Sequence, residues 1–218
     1  MAFPFASRSA PISASPSFEA VACGAQFRDL ISVRVKAPPA ALFRAAREVT
    51  LSEMTLARVV GELRYLPSRL GGHPPPGDRG QPFLSMLTAG GTLILTDDTP
   101  REIITGSAGQ LHRIVDQAPA RFASRQAFDT FNDPSYEKLF MSLRVEPTEV
   151  AGEYWLVLEH ATRALSADAE RKFQRYWLLI RPGGAFVSRQ LLKAIRNRAR
   201  RATIATADPN STQRRAAA

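Results

Sequence analysis

Residues 166–201 read SADAERKFQRYWLLIRPGGAFVSRQLLKAIRNRARR, and this stretch decides the fold. Ser166 is placed to cap a helix, with Asp168 and Glu170 in the first turn where the exposed N–H groups favour acids. Ala169, Phe173, Trp177 and Ile180 recur at spacings of four, four and three, which draws one apolar stripe along a helix. Arg171, Lys172, Gln174 and Arg175 fall on the other side. A helix that presents Phe173 and Trp177 on one face needs a broad apolar surface to lie against. Pro182-Gly183-Gly184 should kink or break it, since proline lacks the N–H and crowds the preceding turn. Val187, Leu191 and Ile195 resume the stripe, so a second helical piece is expected to dock beyond the break.

The chain before this stretch is expected to supply that surface as a sheet. Ile31, Val33 and Val35 alternate with Ser32, Arg34 and Lys36, the pattern of a half-buried strand. Pro38-Pro39 ends it and opens a helix through Leu42, Phe43, Ala46 and Val49. A second helix is expected from Ser52, with Met54, Leu56, Val59, Val60 and Leu63 as its apolar members. Pro67–Pro82 reads as a loop, with His73 exposed in it and no partners for a metal role. Six strands then follow: Phe83–Thr88, Thr92–Asp97, Arg101–Gln110, Ala123–Phe131, Lys138–Glu146 and Glu153–Ala164. The joints at Ala89-Gly90-Gly91, Asp97-Asp98-Thr99-Pro100, Asn132-Asp133-Pro134-Ser135 and Val150-Ala151-Gly152 are short enough to imply antiparallel pairing. Gly106 and Gly109 inside a strand predict a bulge or a strong bend. The expected fold is α+β: about seven antiparallel strands, strongly bent around a long C-terminal helix, with two short helices between the first two strands.

Composition bounds the rest. The 218 residues, 44% hydrophobic and 22% charged, suit one soluble domain. No apolar run approaches the roughly 20 residues that cross a bilayer. The domain is expected over residues 27–201, with a disordered leader over 1–26 and a disordered tail over 202–218. The leader has no apolar core of a secretory signal; its Ser/Ala content, its Arg8 and the lack of an acid before Glu19 also suit an organellar transit peptide. Cys23 is the only cysteine, so no intrachain disulfide forms and the cytoplasm is the natural compartment. The formal charge is +9, and of the 29 basic residues all but Lys36, Lys138, Lys172 and Lys193 are arginine. Ten of the 29 lie between Arg171 and Arg201. Those residues form either a solvated helix face or a docking surface for an anionic partner, RNA or a membrane surface.

Several runs resemble the START-like, or polyketide cyclase/dehydrase (SRPBCC, helix-grip), superfamily, in particular its uncharacterised bacterial branch. They are Thr99-Pro100-Arg101-Glu102-Ile103-Ile104-Thr105-Gly106-Ser107-Ala108-Gly109, then His160-Ala161-Thr162-Arg163, and then Asp168 to Trp177 followed by Leu179-Ile180-Arg181-Pro182-Gly183. The resemblance covers roughly Phe27 to Arg201. It implies a deep apolar pocket between sheet and C-terminal helix, which holds lipids, sterols, polyketides or aromatic compounds. One departure stands out: such relatives often carry Thr-Glu-Thr-Arg on the last strand, and here the glutamate position is Ala161, with Glu159 two residues earlier on the same strand face.

The candidate ligand-binding residues are Trp155, Glu159, Arg163, Phe173, Trp177, Ile180 and His112. On the last strand Trp155, Val157, Glu159, Ala161 and Arg163 share one face, and Tyr154, Leu156, Leu158, His160 and Thr162 the other. If the first set faces inward, Glu159 and Arg163 stand about 13 Å apart and each needs a partner from a neighbouring strand, Arg113 or Arg144 for Glu159. The same side chains can instead fill a solid core or point to solvent. No metal constellation, phosphate loop, cofactor motif or nucleophile elbow is present, and Gly106-Ser107-Ala108-Gly109 lies within a strand rather than on a strand-to-helix turn. The expected function is binding of a hydrophobic small molecule without catalysis. The alternatives are a cyclase-like enzyme using His112 or Glu159 in the same pocket, and docking of the basic face.

Overall fold

The computed structural model describes residues 12, 15–54, 80–113 and 118–207. Strands β1 (Phe27–Val35), β2 (Leu93–Asp98), β3 (Glu102–Gly109), β4 (Glu137–Pro147) and β5 (Tyr154–Ala164) form one antiparallel sheet in the order β1-β5-β4-β3-β2. Five helices accompany it among the described residues: α1 (Pro16–Val21), α2 (Pro39–Glu48), α3 (Phe83–Ala89), α4 (Arg125–Thr130) and α5 (Ala167–Ala207). A single 3-10 turn at Leu51–Glu53 follows α2. The architecture is α+β, a five-stranded antiparallel sheet carrying a long C-terminal helix, and it is consistent with a helix-grip fold.

Two of the seven expected strands are helices, which is why the sheet has five. Phe83–Thr88 falls in α3, entered from Pro82, and Ala123–Phe131 brackets α4, whose first turn is capped by the Ser124 side chain accepting from the Ala127 N–H at 3.2 Å. The expected helix from Ser52 to Leu63 begins in the 3-10 turn; most of it, with His73, lies outside the described residues.

Ser166 caps α5 as expected, its Oγ accepting the Ala169 N–H at 3.1 Å and donating to the Pro134 carbonyl at 2.6 Å. The expected break at Pro182-Gly183-Gly184 does not occur: α5 is one helix of 41 residues. Pro182 deprives the Leu178 carbonyl of its partner four residues on, and both residues are exposed, so that carbonyl lies on the solvent side of the helix. The helix also runs past Arg201, where a tail was expected, to Ala207.

Both faces of the sheet are covered. One face buries Ile31, Val35, Leu156 and Leu158 beneath Leu42 and Ala45 of α2, Val49 just after it, and Leu191, Leu192 and Ile195 of α5. The opposite face holds a second cluster in which Ile104, Phe140 and Ala161 pack against Phe18 of α1 and Phe128 of α4. Residues 15–26, expected to be part of a disordered leader, are therefore built into the domain through α1 and a fully buried Phe18. Gly106 belongs to this second layer. A Cβ there would stand 2.7 Å from Leu95 Cδ1 and 2.8 Å from Phe128 Cζ, so glycine is what lets α4 close on the strand. The register between β2 and β3 shifts between Ile94 and Thr96, so the irregularity lies in the partner strand, opposite Thr105 and Ile104 rather than opposite Gly106, which pairs with Leu93.

Candidate functional site

The expected site residues do not converge. Trp155, Glu159 and Arg163 project from the sheet face turned away from α5, together with Arg144 and Phe140 of β4, because residues paired across antiparallel strands share a face. Phe173 and Trp177 lie on the other side. They stack on each other with ring centroids 5.9 Å apart, and Phe27 meets Phe173 edge-on at 4.8 Å. This aromatic cluster fastens the first turns of α5 to the β1 edge. Ile180, next along the stripe, is half-buried.

His112 sits after β3 and pairs its Nδ1 with Glu137 Oε1 at 2.8 Å; Glu137 is fully buried and also accepts the Leu111 N–H at 2.7 Å. The pair ties the end of β3 to the start of β4. His160 occupies the α5-covered face between Asp29 of β1 and Met141 of β4. Desolvation pushes its pKa down to about 4, so it is neutral at physiological pH. The unfolded chain, with histidine near 6.5, takes up this proton first as pH falls. Stability is thus fully present above about pH 6.5 and drains as the pH falls towards 4, by roughly 2–3 kcal/mol at pH 4.5. Urea unfolding at pH 7.5 and 4.5 should show this loss, and His160→Gln should remove that part of it. An equal acid loss in both proteins would mean the imidazole is not desolvated in the fold.

Glu159 does find Arg144, one of the two arginines the sequence offered. Arg144 is buried; its Nη1 donates to Glu159 Oε2 at 2.7 Å and its Nε to Glu146 Oε1 at 2.7 Å. Burial works against its charge, and the two carboxylates outweigh that, holding its pKa above the ordinary arginine value. Arg28 extends the network, 3.8 Å from Glu159 and doubly bonded to Glu19 of α1. Beside it Glu102 accepts from Ser142 Oγ at 2.5 Å and from Ser15 Oγ at 2.7 Å. Arg163 turns to the same N-terminal segment, donating to the Cys23 carbonyl at 3.0 Å while its guanidinium lies over Phe140. Apart from the buried Arg163 Nε, which has no partner among the described residues, these polar groups answer one another. They lock α1 onto the sheet rather than line an open site.

Lys138, which the sequence did not single out, is buried on this face, with Nζ 3.1 Å from the Asp129 carbonyl and over the Phe128 ring. Burial lowers its pKa from the usual lysine value. It clamps the C-terminal turn of α4 to β4.

The apolar cavity lies elsewhere. It holds about 30 Å³, a single water's worth of room, on the α5 side of the sheet. Phe83, Leu84 and Leu87 of α3 roof it, and Leu191 and Ile195 of α5 close one side. Leu158, Met141 and Thr105 form part of its floor, and Thr105 brings the sole polar side chain to the lining among the described residues. None of the residues of α3 is fully buried; its half-covered side chains hold the roof together with a hydrogen bond at each end, from the Phe83 N–H to the Val49 carbonyl at 2.7 Å and from Arg121 to the Ala89 carbonyl at 3.1 Å. The helix residues that matter here are thus about four turns or more beyond Phe173 and Trp177. Leu191 was visible in the resumed stripe, but α3 was hidden by its reading as a strand.

The chain is similar to the crystal structure of CalU16 from Micromonospora echinospora, at 16% identity over 79% of this chain and 83% of that one, with a TM-score of 0.27. A likeness that loose carries no argument, so the fold rests on the sheet order and the helix placement. No family model and no curated protein matches the chain. Among the described residues no helix is long and apolar enough to cross a membrane.

Proposed function

We propose that the protein binds a small apolar molecule between α3 and the sheet, against Leu191 and Ile195 of α5. The observation that carries this reading is an apolar hollow roofed by a helix with no buried side chain. In its present volume the hollow admits no ligand of useful size, and an apolar lining gives water no partners. Phe83, Leu84, Met86 and Leu87 are all partly covered, so lifting α3 uncovers apolar area that an incoming apolar ligand replaces. Binding is therefore coupled to displacement of α3. No titratable side chain lines the hollow among the described residues, which favours binding over proton-transfer chemistry.

Titration with an uncharged solvatochromic dye, Nile red, tests the site. Leu87→Trp fills the hollow from its roof and should abolish the blue-shifted emission. Trp177→Ala, at the aromatic cluster near the other end of α5, should leave the dye affinity within about twofold. The reverse pattern would move the site to the Phe173–Trp177 end, and no dye binding by the parent protein would remove the proposal altogether.

A further inference from the structure

We infer that the outer face of α5 docks on an anionic lipid surface. From Arg171 to Ala207 this helix contains ten cations and no acid. At 3.6 residues per turn Arg171, Arg175, Pro182, Arg189, Lys193 and Arg200 fall within roughly 40° of one another, a stripe about 43 Å long. All are exposed. Arg171 and Lys172 pair with Asp168, Arg181 lies 3.8 Å from Asp29, and Arg198 and Arg201 are held by Glu48 and Glu53. Arg175, Arg189, Lys193 and Arg200 form no ion pair among the described residues. Among the described residues their charge is uncompensated, and it faces outward.

Apolar groups border this cationic stripe on both sides. Leu178 is 74% and Leu179 73% exposed, beside Pro182 and between Arg175 and Arg189, and Ile204 at the far end is 70% exposed. Two bare leucines framed by arginines gain nothing from water. They fit the boundary between lipid head groups and acyl chains, where arginine stems lie along the apolar layer and the guanidinium groups reach the phosphates. RNA fits less well, because single-stranded bases need exposed aromatic platforms and Trp177 and Phe186 are both half-buried. A second copy of the same face would set like charges against each other.

Vesicle co-sedimentation with the full chain tests the inference. Vesicles of phosphatidylcholine with 30% phosphatidylglycerol should retain the protein at low salt and release it as salt rises, and pure phosphatidylcholine should not retain it. The quadruple variant R175Q/R189Q/K193Q/R200Q should weaken the binding roughly a hundredfold or more, because each cation near such a surface contributes about fivefold. L178S/L179S should weaken it about tenfold while keeping its salt dependence. All six residues are exposed, so the melting temperatures of both variants should match the parent, which separates lost docking from lost folding. Equal retention on neutral vesicles, parental binding by the quadruple variant, no effect of the leucine change, or release from vesicles by polyuridylate would each overturn the assignment.

Discussion

Replacing Arg144 with methionine is expected to destabilise the fold by about 3–5 kcal/mol, read as a shift in the urea midpoint. The guanidinium is buried between the Glu159 and Glu146 carboxylates, each 2.7 Å away. Removing it leaves Glu159 with less than a tenth of its side chain exposed and with Arg28, 3.8 Å away, as its remaining ion-pair partner. A carboxylate in that position is left under-compensated. Glu146, half-exposed, re-solvates and adds little. Arg144→Met combined with Glu159→Leu removes both charges and should recover most of the loss, because two apolar side chains of similar bulk have no desolvation to offset. If the single change costs less than about 1 kcal/mol, the pair is not buried as described. If the double variant is no better than the single one, shape rather than charge holds the layer together.

The same strand shows why the site was the least legible part of the sequence. Alternation along β5 separated Trp155, Val157 and Glu159 from Leu156 and Leu158, and that partition is correct. Which set faces α5 was not decidable, because Leu156, Val157, Leu158 and Glu159 are all buried and the sheet is covered on both faces. The candidate site rests on the set with Glu159 and Arg163 facing inward, whereas the leucines face the helix. The strand count failed for a related reason. FLSMLTA, a short apolar run, and RQAFDT, with only Ala127 and Phe128 apolar, fit either period, and only the local signals, Pro82 before one and the Ser124 cap before the other, point to helices. By contrast the start of α5 was fully written in Ser166, Asp168 and the Ala169–Phe173 spacing. Its passage through Pro182 was not, since that depends on the Leu178 carbonyl lying on the wet side. Antiparallel joints were read well: Gly152, with φ of 76°, turns β4 into β5 where a turn was expected.

The N-terminal segment gives the second large effect. Phe18 is wholly buried in the cluster with Ile104, Phe128, Phe140 and Ala161, in a stretch whose Ser, Ala and Pro content reads as disorder. Composition averages over residues, and one aromatic anchor is lost in the average; the visible clue was Ser15-Pro16, an N-cap followed by proline at the first helical position. Phe18→Ala should cost about 3–5 kcal/mol by equilibrium unfolding, since the cavity it leaves is walled by rigid strands and cannot collapse. Phe18→Leu should retain more than half of that. Deleting residues 1–26 goes further, because it also strips Ser15 from Glu102, Glu19 from Arg28 and the Cys23 carbonyl from Arg163, leaving buried polar groups without their donors and acceptors. That shortened chain should fail to give a cooperative transition. If it unfolds at the parental midpoint, α1 is only lodged on the sheet; if it collapses as expected, the folded unit includes α1, and the buried charges on this face are its fastening rather than its site.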